Sequence, residues 1–299
     1  MLPPQARIAV VAPAGLYDAA RLERGMAVVR GWGFTLVPAP HLAARHRYTA
    51  GTAPERLADL TWALTSPDID AVWFARGGFG TAHLLDALPW AALDGRPVLG
   101  FSDATALFCP LLARGLRAIH APVLQGLAPY DLSADPAAIR VDSESREVLR
   151  RLLCQGEATR LPGEAAQPDF APVKGSVVGG NLSVLASLCG TPWGLRSEGR
   201  IVALEDTREH PYRIDRLLTQ LIAAGGLQGA VGIALGQFDH CRAEGQTYEV
   251  REVLHELLAP LGIPVVFGLP FGHTAHNYAF ELGRAATLSA TGLDWPLVA

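Results

Sequence analysis

Short apolar runs alternate with longer amphipathic stretches along most of this chain, and that alternation constrains the fold more than any other feature. Arg7–Ala12, Phe34–Val37, Ala71–Phe74, Val98–Gly100 and Arg117–Ile119 read as strands. Between them, Ala19–Gly31 places Leu22, Met26 and Val29 on one helical face. Pro54–Leu64 follows Thr52, a residue type suited to a helix cap, with Pro at an early helical position. Thr81–Leu88 and Ala104–Arg114 complete the set of predicted helices in this half. Strands that alternate with helices imply a parallel sheet covered on both faces. Residues 121–172 change character. They hold Pro122, Pro129, Pro136, Pro162, Pro168 and Pro172 and one polar helix near Ser143–Leu153, as an interdomain crossover would.

The alternation then resumes. Val173–Val178, Arg200–Leu204, Ala230–Leu235 and Pro264–Phe267 read as strands, with a short helix after Gly179-Gly180-Asn181 and longer ones at Tyr212–Ala224 and Tyr248–Leu258. Glu281–Ala290 alternates around Gly283 and reads as closing strands. The expected class is α/β in two domains: residues 1–140, a crossover linker over 141–170, and residues 171–299.

Composition narrows the function classes. Of 299 residues, 49% are hydrophobic and 18% charged, which suits a large core and not a disordered chain. The formal net charge is −4 and Lys174 is the sole lysine, so no basic patch points to nucleic acid. The four cysteines (Cys109, Cys154, Cys189, Cys241) form no C-x-x-C pair and read as free thiols of a reducing, cytoplasmic compartment. No apolar run reaches the ~18 residues of a membrane span. Residues 8–16 are read as a buried strand and turn, not a signal peptide, because Pro13 and Gly15 punctuate them.

In open parallel sheets, ligands bind beyond the carboxyl ends of the strands. Four polar groups follow strands here: Arg76-Gly77-Gly78-Phe79-Gly80, Ser102-Asp103, Glu205-Asp206 and Gly272-His273-Thr274. Ser102 stands in GFSDA, between a strand and a helix. That is the layout of a nucleophile elbow, although the fifth position is Ala, not Gly. Either Ser102 or Asp103 could instead cap the helix. A serine nucleophile needs a base. His273, after a strand and the loop GLPFG, is better placed than His120, the alternative. The base needs a carboxylate, for which Glu205 and Asp206 compete; strand parity lets only one of them face His273. Asp206 could also cap the turn before the Pro211 helix. RGGFG admits two readings: a phosphate-cradling nest, a weak signal because the G-x-G-x-x-G spacing and a Walker lysine are missing, or a backbone approach of Gly77-Gly78 to a substrate oxyanion; glycine suits either. Arg76 could hold a substrate carboxylate. The clusters His273–His276 and Asp239–Cys241 lack the H-E-x-x-H pattern, and no metal is expected.

Taken in order, RGGFG, GFSDAT, GGNL, LEDTREHPYRIDR and GLPFGHTAHN resemble the LD-carboxypeptidase family of serine peptidases over almost the whole chain. The resemblance implies a Ser-Glu-His triad at Ser102, Glu205 and His273, and so decides between Glu205 and Asp206. It implies a flavodoxin-like or amidotransferase-like N-terminal domain, a smaller C-terminal domain and a site at their interface. It also implies removal of a terminal D-alanine from a murein tetrapeptide in cytoplasmic peptidoglycan recycling, by a homodimer without a cofactor. The backbone N–H groups of Asp103 and of Gly77 or Gly78 are expected at the oxyanion, with Asp103 also capping its helix. Arg76 and Asn181 are guesses for substrate contact. Two other functions stay open: a microcin C-type immunity peptidase acting on a peptidyl-nucleotide, and a non-catalytic Rossmann-like ligand binder. Phe79 and Phe101 stand where the family commonly has Tyr.

Overall fold

In the computed structural model, the strands are β1 Arg7–Val11, β2 Thr35–Pro38, β3 Ala71–Phe74, β4 Val98–Gly100, β5 Ala118–His120, β6 Arg160–Pro162, β7 Glu164–Ala165, β8 Val173–Asn181, β9 Arg200–Thr207, β10 Gly232–Asp239, β11 Val265–Phe267, β12 Phe280–Leu282, β13 Ala285–Ser289 and β14 Gly292–Asp294. The helices are α1 Ala19–Gly31, α2 Ala53–Thr65, α3 Thr105–Ala113, α4 Ser143–Gln155, α5 Leu182–Ser187, α6 Pro211–Ala223 and α7 Val250–Leu258. The structure describes residues 1–128, 141–167, 170–242, 244–245 and 247–296. Pro129, Pro136 and Pro168 of the crossover lie outside the described residues.

Two mixed sheets organise the chain. The first has six strands in the order β2-β1-β3-β4-β5-β12; β1 to β5 run parallel and β12 pairs antiparallel with β5. The β2-β1-β3-β4-β5 order is flavodoxin-like and reverses direction between β1 and β3, which opens a crevice at their carboxyl ends. The second has eight strands in the order β6-β14-β13-β8-β9-β10-β11-β7, with β8 to β11 parallel and the flanking strands antiparallel. Residues 160–165, read as crossover from the sequence, supply two edge strands of this sheet. The tail also divides. β12 closes the first sheet and β13 joins the second, because Gly283 (φ +81) turns the chain between them.

Local chemistry explains most element ends. At α2 the expected cap is present: Thr52 accepts from the Glu55 amide, and the Glu55 carboxylate accepts from the Thr52 amide at 2.8 Å. Three expectations shift. Residues 81–87 form a 3-10 helix, not an α-helix. α3 is preceded by a 3-10 turn at Ser102–Ala104. β9 runs through Glu205 and Asp206 to Thr207, because β8 and β10 pair with it on both sides and outweigh the weak strand propensity of the acids.

Helix α3 is buried from Thr105 through Leu112, with no polar face. A helix apolar all round belongs inside a larger core, and α3 packs between its own sheet and β8 of the other. The contact is close at the carboxyl end of β8. There the Asn181 amide donates to the Thr105 hydroxyl at 3.0 Å, and a Cβ on Gly180 would stand 2.4 Å from that oxygen. Gly179 is tighter still: at φ +119, a Cβ there would lie 2.1 Å from the Ala203 carbonyl oxygen. Gly179→Ala is therefore expected to destabilise the fold by about 2–4 kcal/mol and to lower Tm by roughly 4–12 °C, as measured by calorimetry.

Candidate active site

Segments from the two sheets meet at one place. β4 ends at Gly100, and Phe101 is extended (φ −155) before Ser102 turns to φ +62. A non-glycine residue in the left-handed region is strained, by about 1–2 kcal/mol. The turn leaves Ser102 half-exposed between buried neighbours. From the second sheet, His273 approaches on the chain after β11, and Glu205 points from within β9.

Their distances form a relay. Ser102 Oγ lies 3.0 Å from His273 Nε2, and His273 Nδ1 lies 2.6 Å from Glu205 Oε2. With the proton on Nδ1, that nitrogen donates to the carboxylate, and Nε2 is left to accept from the serine hydroxyl. Glu205 is 0% exposed. Asn181 Nδ2 donates to its second oxygen at 3.2 Å and to Asp206 Oδ1 at 3.2 Å. Burial opposes charge on Glu205, but His273 close by and the Asn181 amide hold its carboxyl below the usual range. Burial likewise opposes protonation of His273, and the Glu205 carboxylate outweighs it and raises the histidine above its ordinary value.

Asp206 shares the Asn181 amide with Glu205 but binds α5 and not His273. It accepts from the Ser183 amide at 2.8 Å and from the Ser183 hydroxyl at 2.7 Å, in the first turn of α5. It therefore does not cap the turn toward α6. Burial, with Glu205 adjacent, pushes its carboxyl up. Asn181 caps α5 through its Oδ1, which accepts from the Val184 amide at 3.1 Å. Both ends of its amide are thus committed to protein partners.

Asp103 does not cap α3. Its buried carboxylate reaches across and accepts from the Thr81 amide at 2.9 Å, tying the elbow to the end of the RGGFG loop. The Gly77 backbone lies against the serine: a Cβ there would stand 2.9 Å from Ser102 Cβ, 3.0 Å from Oγ and 3.6 Å from the Asp103 amide nitrogen. The Arg76 guanidinium is exposed and donates to the Leu16 carbonyl. His120 packs among Phe101, Phe271 and Phe280, and burial pushes it down to about 4. It is 1% exposed. Among the described residues, no group of three His, Cys, Asp or Glu side chains converges as a metal site would.

One supporting residue escapes the sequence reading. Arg56, on α2, is buried and donates to the carbonyls of Pro13, of Gly80 at 2.8 Å and of Gly51 at 3.2 Å. It clamps the loops after β1 and β3 at the crevice. Its signal was a charge on the apolar stripe of an amphipathic helix, where an isolated cation is costly.

The LD-carboxypeptidase N-terminal domain profile matches residues 8–121, and the C-terminal domain profile matches residues 174–288. The chain is 36% identical over 297 residues to the murein tetrapeptide carboxypeptidase of Pseudomonas aeruginosa, covering 98% of this chain and 96% of that one. It is 26% identical to the microcin C7 self-immunity protein MccF of Escherichia coli, over 91% and 86% of the two chains. The crystal structure of muramoyltetrapeptide carboxypeptidase from Oxalobacter formigenes superposes with a TM-score of 0.83 at 30% identity, covering 97% of this chain and all of that one.

The buried carboxylate sets a measurable property. Wild-type His273, followed by proton NMR, is expected to titrate above 6.5. In Glu205→Gln the main group opposing burial is gone and only Asp206 and Asp239 still favour the charged ring, so the midpoint falls below the wild-type value. A midpoint that rises, or stays put, would contradict the electrostatics drawn here.

Proposed function

The chain belongs to the LD-carboxypeptidase family and is a serine-type carboxypeptidase, and we propose that it releases the terminal D-alanine of a murein tetrapeptide through a Ser102–His273–Glu205 triad. The observation that carries the triad is the unbroken relay from Ser102 Oγ through both ring nitrogens of His273 to a carboxylate out of water.

His273 Nε2 takes the hydroxyl proton as Ser102 Oγ attacks the carbonyl before the terminal residue. Glu205 keeps the ring in the required tautomer and stabilises the imidazolium that forms. The tetrahedral oxyanion is held by backbone N–H groups of the elbow and the glycine loop, with Asp103 and Gly77 or Gly78 as the donors; Asp103 and Ser102 flank one face of Gly77. The C–N bond breaks, and His273 returns its proton to the departing amine of D-alanine. A water then attacks the acyl-enzyme along the same path and regenerates Ser102. Arg76, exposed beside the glycine loop, is the candidate for the substrate carboxylate. With this activity the enzyme would act in peptidoglycan recycling in the cytoplasm, as a homodimer.

Incubation with murein tetrapeptide, followed by mass spectrometry, is expected to show loss of one alanine. An all-L tetrapeptide is expected to stay intact. Ser102→Ala is expected to lower kcat by roughly 10⁵–10⁶-fold. An intact murein peptide beside a cleaved peptidyl-nucleotide would move the substrate to the microcin class and keep the triad. A Ser102→Ala enzyme that turns over would reject the triad.

A further inference from the structure

His273 stands on irregular chain, residues 268–279, between β11 and β12. Such a segment has no ladder of its own to hold a ring within a few tenths of an ångström. The strand-side support is visible: the Gln237 amide donates to the Phe271 carbonyl at 2.9 Å, and Gln237 Nε2 donates to the Leu269 carbonyl at 3.0 Å. Those bonds hold the chain before His273. The chain after it is held from elsewhere.

That second support is α4, the helix of the crossover. Ser145, in its first turn, is 0% exposed. Its hydroxyl donates to the Ala275 carbonyl at 3.2 Å and accepts from the Asn277 amide at 3.0 Å. The Asp142 amide also donates to the Ala275 carbonyl, at 3.0 Å, and the Asp142 carboxylate contacts His276. Asn277 is itself fully buried, and its Oδ1 accepts from the Gly272 amide at 3.1 Å, next to the catalytic ring. The bonds thus run without a gap from α4, through Ser145 and Asn277, to the Gly272 amide, one residue before His273. The helix at the far end is firm. Leu149, Leu152 and Leu153 are buried, and the Leu153 carbonyl accepts from the Leu2 amide at 2.8 Å.

We propose that Ser145 and Asn277 are positioning residues of the reaction, holding His273 at Glu205 and Ser102 from the crossover helix. The inference rests on His273 as the general base. The chemistry favours this role over plain packing. A buried serine in a helix is a weak packing group, and this one spends both hydrogen-bonding functions on one loop. Loss of alignment by about 1 Å at a reacting group costs on the order of 100-fold in rate.

The test is steady-state kinetics against pH on murein tetrapeptide. Ser145→Ala and Asn277→Ala are each expected to lower kcat by about 10- to 100-fold with KM within about 3-fold of wild type. The acid limb of kcat/KM reports neutral His273, so its wild-type midpoint is expected above 6.5. The groups around that ring are Glu205 and Asp206 on β9, Asp239 on β10, His120 on β5 and Ser102. Loosening His273 from Glu205, the strongest of these for raising it, moves the midpoint to lower pH. The double variant is expected to be no worse than the more severe single one, because both act through one loop. Ser145→Thr, which keeps the hydroxyl, is expected to keep the wild-type midpoint. Turnover within 2-fold of wild type in both alanine variants overturns the proposal. So does a lost rate that tracks loss of folded protein by circular dichroism while the midpoint stays fixed. Inactive Ser102→Ala and His273→Ala beside a silent Ser145→Ala would reject only the positioning role; turnover by those two variants would reject the base assignment and this inference with it.

Discussion

Glu205 carries a charge with no exposed surface, and the site depends on how that charge is held. A lone buried carboxylate would cost several kcal/mol. Two groups offset this: the His273 ring on one oxygen and the Asn181 amide on the other. Each comes from a different segment, and each is fixed by a further partner. Asn181 is locked by its cap on α5, and His273 by its loop. The pair is mutual, since the same carboxylate raises the histidine. A ring so held takes up a proton at less cost than a free imidazole would.

Ser102 belongs to the other sheet, so the relay exists only when the two sheets are in register. Helix α3 enforces that register. It starts at the serine elbow, is apolar on every side, and lodges against the small residues at the end of β8. The strain at Ser102 is sustained because its neighbours on both sides are buried and because Asp103 bonds across to Thr81. Rigidity here is useful: a hydroxyl on a strained turn loses little freedom on attack.

The strand–helix alternation fixed most of the fold in advance, and α1 begins and ends where its periodicity placed it. Ser102, Glu205 and His273 were legible as polar residues after apolar runs, because an acid or a histidine in such a place needs a reason. For Asp103 and Asp206 the sequence offers the nearest helix as a partner to cap, and both bind a helix distant in sequence instead. Local rules favour local partners, and sequence alone does not show which distant amide lies across a crevice. Arg56 likewise binds carbonyls of segments distant in sequence, which its own helix does not show.

Sequence determined the residue types and the order of the strands along the chain, since these follow from short-range geometry and hydrophobic period. Tertiary structure decided the rest: the extension of β9 through two acids, the split of the tail between two sheets, and the anchoring of the His273 loop by Ser145. Each of those depends on hydrogen bonds between segments far apart in the chain, whose partners are set by packing and not by spacing.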